Sequence, residues 1–449
     1  MARFVLAWEH GGGLGHAMSL AQVARVLLAR GHDVTLVWRN PGAAHHVLGP
    51  LLHHPRLRLR AAPTWPGQVI KPPLPHPVST YADLLCLVGY LDPSSLTAHT
   101  SSWLDLLRTL QADVLVTDHA PGALLAAKAW PDLRTAQIGN GYFQPPRRTP
   151  LPSFRFWDAT QVDAAHEATV LAHCQAAQKA CGITPLTRLS DLLNTHLDAL
   201  LTWPELSTYD PGLLTENHLF IGPLPSTATA LAPQWPPSPS AQRCLAYLKA
   251  GHPDTPTTHA ILRLLIDAGI PTLLVLSGGT DAEAALLAPH PHVRLVNQLV
   301  DMNLALQQAD VVVCQGSSGT VLASLSAGRP LLMLPGHVEQ WINSYRVCDL
   351  HAGIALQAAE IAEHGVAALR ALFHDDHFRT HARQVAARHP PSESHANLAR
   401  LGDQLEALLT WAPARSLPPH DPQSRWGRIA AAEIASNAAP DAQSGWTPP

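Results

Sequence analysis

The chain has 449 residues, of which 46% are hydrophobic and 14% are charged, and its formal net charge is −4 at pH 7. This length predicts two or more domains with sizeable hydrophobic cores. The small net charge argues against a nucleic-acid partner and against a polybasic membrane anchor, because both need a concentrated positive surface.

The spacing of the cysteines and the length of the apolar runs indicate the cellular compartment of the protein. The six cysteines include neither a Cys-x-x-Cys pair nor the spacing of a zinc site, so we expect reduced, largely buried thiols. The first apolar run breaks at Glu9 and at glycines and does not resemble a signal peptide. With no run of about 18 apolar residues that could span a bilayer, these features predict a soluble, cytoplasmic protein.

The amino-terminal residues predict a strand, a helix and a second strand, the opening of a Rossmann-like domain. The strands are Arg3 to Trp8 and Val34 to Trp38, and the helix is Ala17 to Ala29. A flexible turn, Gly11-Gly12-Gly13-Leu14-Gly15-His16, joins the first strand to the helix. Its glycines alternate, and His16 stands where the G-x-G-x-x-G fingerprint needs its third glycine, so NAD binding is not favoured.

The middle of the chain continues this domain and then becomes a linker. Residues 141–157 are aromatic and basic, and they either shape an acceptor pocket or pack as an ordinary loop. Five prolines within residues 225–240 predict the linker. The elements predicted before it are strands at Val114 to Thr117, Thr135 to Gly139 and about Leu197 to Thr202, and a helix from about Val162 to Ala180.

The second half repeats the strand and helix alternation, which predicts a second parallel sheet. A tail rich in Pro, Ala, Ser and Gln, residues 412–449, is expected to be disordered. The elements predicted before the tail are strands at Cys244 to Leu248, Pro271 to Leu276 and Val293 to Val296, and helices at Ile261 to Ala268, just before Asp310, near 356–374 and near 397–411.

Residues 310–343 carry the strongest functional signal. Val311 to Cys314 is a short apolar run typical of a parallel strand covered on both faces. The next residues, Gln315 to Thr320, supply glycines and hydroxyls that let backbone N–H groups approach an anion closely. The helix that follows would offer its positive amino terminus to a phosphate. This segment therefore predicts an anion pocket.

A polar cluster follows the next strand, Leu331 to Leu334. Glu339, Gln340 and Asn343 are expected on the loop beyond the carboxyl end of that strand, where open α/β sheets bind ligands. A Gly/Ser turn alone would be an ordinary strand-to-helix connection. The added polar cluster favours a binding site.

These motifs resemble those of nucleotide-sugar glycosyltransferases with two Rossmann-like domains, the GT-B type, such as the UDP-glycosyltransferases and the N-acetylglucosaminyltransferases of peptidoglycan synthesis. In those families a strand leads to His-Gly-Gly-x-x-Thr, then a Glu, then Gly-x-Pro, then Asp/Glu-Gln with an Asn nearby. The segment GGGLGHAMSLAQVARVLLARGHDVTLV also resembles their Gly-His opening, with Ser19 in place of a proline. The resemblance implies an α/β fold of two doubly wound parallel-sheet domains facing across a cleft.

The resemblance also implies domain roles and a donor site. Residues 1–224 would bind the acceptor, 225–240 would be the linker and 241–411 would bind the donor. Lys249 or His252 would neutralise donor phosphates. The donor-binding residues would be Gln315, Gly316, Ser317, Ser318, Gly319 and Thr320 at the pyrophosphate, and Glu339, Gln340 and Asn343 at the sugar.

Two positions depart from the family pattern. The family's His is Gln315, whose amide can donate a hydrogen bond but cannot carry positive charge. The family's ribose-binding Glu is Ala323, which leaves both UDP and dTDP open as the nucleotide.

For catalysis, the resemblance points to a histidine and a carboxylate at strand ends. Imidazole has the unperturbed pKa closest to neutrality, so His16 could take the proton of an acceptor hydroxyl. Asp118, at the end of the strand Val114 to Thr117, would steady the resulting imidazolium. His10 is the alternative base, and backbone hydrogen bonding at a helix start is the alternative role of His16.

The sequence thus predicts a glycosyltransferase that moves a hexose-type sugar from a UDP- or dTDP-linked donor to an acceptor hydroxyl, with inversion and without a metal or cofactor. The acceptor would be a small molecule or a lipid-linked compound, the latter with peripheral membrane contact. One alternative is a non-catalytic nucleotide-sugar-binding paralogue, which Gln315 and Ala323 favour. The other is a nucleotide-sugar 2-epimerase, which would need further acidic residues.

Overall fold

The computed structural model of the protein describes residues 1–12, 15–67, 69, 77–158, 162, 164–226, 231–237, 242–250 and 256–410. These residues contain two parallel sheets, of seven and six strands. The predicted fold class, two Rossmann-like doubly wound domains, is confirmed. Gly13 and Leu14 of the glycine turn, His252, residues 227–230 and 238–240 of the predicted linker, and the predicted tail at 412–449 lie outside the described residues.

The first sheet has the order β3-β2-β1-β4-β5-β6-β7. Its central strands are continuous apolar runs because helices cover both faces. Successive strands add outward from β1 in one direction and from β4 in the other, so the switch point lies between β1 and β4. The strands are β1 (Arg3–Trp8), β2 (Asp33–Trp38), β3 (Leu57–Ala61), β4 (Val114–Asp118), β5 (Arg134–Gly139), β6 (Leu197–Leu200) and β7 (His218–Phe220).

Helices around this sheet begin at local capping signals. The Thr80 hydroxyl and the Asp83 carboxylate form a reciprocal capping box on α3. Asp92 accepts from the backbone N–H groups of Ser94 and Ser95 at the start of α4. The described helices are α1 (Gly15–Ala29), α2 (Ala44–Leu48), α3 (Tyr81–Leu87), α4 (Pro93–Leu110), α5 (Pro121–Ala127) and α6 (Ala164–Ala180).

The second sheet has the order β10-β9-β8-β11-β12-β13, with its switch point between β8 and β11. Its strands are β8 (Cys244–Lys249), β9 (Thr272–Ser277), β10 (Val293–Val296), β11 (Val311–Cys314), β12 (Leu331–Met333) and β13 (Gly353–Ala355). The accompanying helices are α7 (Pro256–Ala268), α8 (Asp281–Leu287), α9 (Met302–Gln308), α10 (Ser318–Ser326), α11 (Val338–Asp349), α12 (Ile361–His374), α13 (Asp376–Arg388) and α14 (Glu393–Thr410).

The expectation of a loop after β12 is wrong, because Glu339, Gln340 and Asn343 lie on helix α11. The buried face of this helix includes Gln340, Asn343 and Ser344, at helical spacing. Polar residues therefore occupy a face where an amphipathic pattern would show apolar ones, which hides the helix in the sequence. Helices α2, α3, α4, α5, α8 and α13 were likewise not predicted.

Helix α14 returns to the first sheet. Leu401, Leu405 and Leu408 join the core formed by β1, β2 and α1. Arg30 and His32 bind the Glu406 carboxylate, at 2.5 Å and 2.8 Å. Helix α14 is thus held against the amino-terminal sheet by apolar packing and by ion pairs.

Replacing Leu405 with alanine is expected to lower the free energy of unfolding by about 2–5 kcal/mol, because the side chain is fully buried and leaves a cavity. Leu409 is 38% exposed on the same helix and is the matched control. Leu409→Ala is expected to change stability by less than about 0.5 kcal/mol. Urea unfolding of both variants measures the difference, and equal stability would contradict the packing of α14 on this core.

Cysteine state and membrane contact were also predicted. None of the six cysteines forms a disulfide bond; Cys86, Cys174, Cys244 and Cys314 are buried, and Cys181 and Cys348 are half-buried. The prediction that the thiols are largely buried is confirmed, and their reduced state stays a prediction. Among the helices that the structure describes, none has the length and hydrophobicity required to cross a bilayer.

Candidate active site

The sheet order brings His16 to Asp118. Strands β1 and β4 are parallel neighbours with Trp8 opposite Asp118, so their carboxyl ends open at the same edge. The turn after β1 carries His16 back over this edge. Its Nδ1 lies 2.7 Å from Asp118 Oδ1. A proton on Nδ1 completes this bond and leaves the lone pair on Nε2.

The environment of His16 favours its protonated form. Burial by itself lowers the pKa of the imidazole, but the charge and hydrogen bond of Asp118 oppose burial, and Glu339 adds to them. The pKa of His16 is therefore raised above its ordinary value. The side chain keeps 18% of its surface exposed, against 5% for Asp118. Only the histidine of the pair is thus accessible to a reactant.

Gly11 makes room for the imidazole. Its φ of +97° lies in a region that favours glycine, and an added Cβ would overlap Nε2 of His16. Trp8 stacks beside the same ring, with the centroids 5.7 Å apart. The absence of a side chain at Gly11 thus allows His16 to take this position.

His10, the alternative base, has a different partner. Its Nε2 lies 2.8 Å from Oε1 of Glu9, a carboxylate that is almost fully buried. Glu9 also accepts from His99 Nε2 and from the backbone N–H of Gly122, both at 2.8 Å. Burial would raise the pKa of Glu9, but the charges and hydrogen bonds of His10 and His99 lower it below the ordinary value. Sequence reasoning missed Glu9, although a charged residue directly after a buried strand was a signal.

The predicted anion pocket lies at the switch point of the second sheet. Helix α10 begins at Ser318, and the side chain of its N-cap residue, Ser317, makes no capping hydrogen bond among the described residues. No described atom lies within 4 Å of the position that a Cβ of Gly319 would take. The amino terminus of α10 therefore presents open backbone N–H groups, as a phosphate site requires.

The side-chain amide of Gln315 hydrogen-bonds the backbone of Lys249. Its Oε1 accepts from the Lys249 N–H at 3.0 Å, and its Nε2 donates to the Lys249 carbonyl at 3.1 Å. This amide thus joins the carboxyl ends of β8 and β11. One N–H of the amide remains for a ligand.

Helix α11 packs closely against this pocket. Gly316 has φ +84°, and a Cβ there would lie 2.9 Å from the Gln340 carbonyl and 2.8 Å from Ser344 Oγ. Asn343 donates to the Gly316 carbonyl at 2.8 Å and to Ser318 Oγ at 3.0 Å. Gln340 accepts from the Gly336 N–H at 2.8 Å. Gln340 and Asn343 thus shape the pocket by holding its backbone.

One side chain from the first sheet reaches the pocket of the second. Asn140 follows β5, and its Nδ2 lies 2.6 Å from Ser318 Oγ and 2.6 Å from Glu339 Oε1. Because Glu339 also acts on the pKa of His16, the histidine and the anion pocket face one cleft. Sequence reasoning missed Asn140, since a single Asn between two glycines is typical of any turn.

Thr320, in the first turn of α10, is largely buried.

The described residues contain no group of three or more His, Cys, Asp or Glu side chains that could hold a metal ion. The chemistry that this cleft offers is proton transfer at one wall and anion binding at the other.

Comparison with known proteins agrees with this arrangement. Residues 272–400 match the family model of the erythromycin biosynthesis protein CIII-like C-terminal domain. The PGL/p-HBAD biosynthesis glycosyltransferase of Mycobacterium tuberculosis (strain ATCC 25177 / H37Ra) is 25% identical over 300 residues, which cover 63% of this chain and 68% of that protein. The solved structure of CalG4, the calicheamicin glycosyltransferase, has a TM-score of 0.68 at 21% identity and covers 92% of this chain and 99% of its own.

The chain is a GT-B glycosyltransferase. A further solved structure, the spinosyn rhamnosyltransferase SpnG complexed with thymidine diphosphate, has a TM-score of 0.58 at 18% identity and covers 90% of the glycosyltransferase and all of its own chain. The two alternatives considered from the sequence, a binding paralogue and a 2-epimerase, are not favoured by these relatives.

Proposed function

We propose that this glycosyltransferase transfers a hexose-type sugar from a dTDP- or UDP-linked donor to a hydroxyl of a small-molecule acceptor, with inversion at the anomeric carbon. The observation that carries the proposal is the contact of Asn140 with Ser318 and Glu339, since it joins the His16 side of the cleft to the anion pocket. With His16 as the base on one wall and the anion pocket for the leaving nucleotide diphosphate on the other, the cleft suits a single displacement at the anomeric carbon.

In the proposed reaction, the acceptor hydroxyl lies at Nε2 of His16. As its oxygen forms the new bond to the anomeric carbon, the bond from that carbon to the donor phosphate breaks and the electron pair leaves with the nucleotide diphosphate. The hydroxyl proton moves to Nε2, and Asp118 stabilises the imidazolium. The proton then passes to solvent when the product leaves.

Charge on the departing diphosphate is the second requirement of the reaction. The open N–H groups of α10, the hydroxyl of Thr320 and the remaining N–H of Gln315 would stabilise it, and would do so most strongly in the transition state. Glu339 and Gln340 would bind sugar hydroxyls once the donor displaces Asn140 from Glu339. The N–H groups of α10, Thr320 and Gln315 would stabilise the charge that a metal ion stabilises in other transferases. We therefore propose a metal-independent reaction.

The nucleotide is proposed from one substitution and one relative. Ala323 stands where the related families carry a ribose-binding Glu, and SpnG is solved with thymidine diphosphate. Both favour dTDP over UDP. A small-molecule acceptor is supported by the half-buried aromatic ring of Phe143, whose centroid lies 6.1 Å from that of His16. A lipid-linked acceptor with peripheral membrane contact is the alternative.

Calorimetric titration with dTDP, UDP and GDP tests the donor site. We expect dTDP to bind most tightly, and Thr320→Val to weaken its binding about tenfold, since a hydrogen bond to a charged phosphate is lost. Ser326→Ala, at the other end of the same helix, is the control and should bind as the wild type does. Failure of all three nucleotides to bind would contradict the donor site, and a retained anomer in the product would contradict inversion.

A further inference from the structure

His119 follows Asp118 in a backbone conformation that L-residues seldom adopt. Its φ is +48°. The side chain is only 7% exposed, and its ring stacks on Phe143 with the centroids 3.5 Å apart and the planes 8° apart. Strained backbone of this kind persists where the surrounding structure enforces it, and it is concentrated at functional sites.

The imidazole of His119 makes no hydrogen bond of good geometry among the described residues, although the backbone of His10 lies close enough to act on its pKa. Both ring nitrogens, Nδ1 and Nε2, are buried. Buried polar atoms are nearly always paired with protein, water or ligand. Burial, together with the neighbouring His10 and His16, lowers the pKa of His119 well below its ordinary value. The ring is therefore neutral, with one nitrogen that donates and one that accepts.

The groups around His119 are flat rings. His10, Tyr81 and His16 have their ring centroids 5.5 Å, 6.2 Å and 6.5 Å from that of His119. The network continues through Glu9 to His99, whose Nδ1 is also buried and unpaired among the described residues. This is an environment for a planar ligand with polar substituents, rather than for an aliphatic one.

We propose that His119 is a specificity-determining residue for the acceptor, and that its imidazole hydrogen-bonds a second polar group on a planar acceptor whose first hydroxyl is glycosylated. The inference rests on the proposed function, because it takes His16 as the base at the first hydroxyl. The separation of the His16 and His119 rings is one that a planar ring system with a polar group at each end can span. The enzyme would thus select dihydroxylated or hydroxy-carbonyl aromatic acceptors over monohydroxylated ones.

The test compares 2,6-dihydroxynaphthalene with 2-naphthol, using dTDP-glucose and UDP-glucose as donors. Two equivalent hydroxyls alone give a statistical factor of about two. We expect the wild type to prefer the dihydroxylated acceptor by about tenfold or more in kcat/KM, because 2-naphthol leaves the His119 nitrogens unpaired. His119→Gly should reduce the preference to the statistical factor, mainly by loss of activity on 2,6-dihydroxynaphthalene.

His119→Asn is the conservative variant. Asparagine tolerates positive φ and keeps a hydrogen-bonding side chain, so it should restore part of the preference. Glycine also tolerates this backbone, so neither variant is expected to unfold. A merely structural role would lower kcat/KM for both acceptors equally.

Three outcomes would overturn the proposal: no preference in the wild type, no transfer to either naphthol, or a preference that survives in His119→Gly. Binding of dTDP, measured on the same samples, separates this failure from failure of the proposed function. If dTDP binds while the preference is absent, only the role of His119 is wrong. If no nucleotide binds, the donor site itself is wrong.

Discussion

Replacing His16 with alanine is expected to lower kcat by about 10²–10⁴-fold while the affinity for dTDP is unchanged. The imidazole is the only side chain paired with Asp118 at this edge of the sheet in the described structure, and its Nε2 is the group that would accept the hydroxyl proton. The diphosphate would bind on the other wall of the cleft, at the start of α10. Initial rates and calorimetric titration of the same variant measure the two effects separately.

His10→Ala is the control for this prediction. His10 contacts the buried Glu9 rather than Asp118, so its loss should affect kcat far less than the loss of His16. If His10→Ala had the larger effect and His16→Ala retained full turnover, the base would be His10.

The pH profile gives a second measure of the pair. Protonation of Nε2 removes the base, so kcat should fall at acidic pH. Since the pKa of His16 is raised, this fall should occur at a higher pH than the ordinary pKa of histidine would give. Asp118→Asn removes the main cause of the raised pKa, so burial dominates and the fall should move to lower pH. A fall at an unchanged pH would show that another group sets the profile.

Alanine at Gly11 is expected to reduce kcat about as strongly as the loss of His16, although residue 11 makes no proposed contact with substrate. The added Cβ would overlap Nε2 of His16 and would also be strained at φ +97°. The ring would have to leave its position beside Asp118, and small displacements of a catalytic group have large effects on rate. Initial rates with saturating donor measure the change.

Gly12→Ala is the matched control for this substitution. Gly12 has no described atom within 4 Å of its Cβ position and is exposed. This variant should keep nearly all of the activity, whereas Gly11→Ala should not. Equal activity of the two variants would contradict the close approach of Gly11 to His16.

The central strands were predictable because parallel strands buried on both faces are short, continuous apolar runs. Val114 to Thr117 and Val311 to Cys314 are examples, and both became strands. Strand β3, Leu57–Ala61, was missed although its alternation of Leu with Arg is the pattern of a half-buried strand, and it lies at the sheet edge. Helix α11 escaped because Gln340, Asn343 and Ser344 lie on its buried face beside Ile342 and Val347, which weakens the periodic signal.

Part of the site was also predictable from position. Asp118 and the residues from Gln315 to Thr320 stand directly after predicted strands, and His16 ends the turn that follows the first strand. Carboxyl ends of parallel strands are where such sheets bind ligands. Their individual roles stay predictions until the variants above are measured.

The sequence by itself determined the two-sheet α/β architecture and the glycosyltransferase motifs, because both depend on patterns within a few tens of residues. Only the tertiary structure decided that Asn140 reaches Ser318 and Glu339, that Glu9 is buried among His10 and His99, and that the His119 imidazole is buried with no hydrogen bond of good geometry among the described residues. These contacts depend on strand order and on the packing of distant segments, and a local pattern holds no information about which strand ends become neighbours.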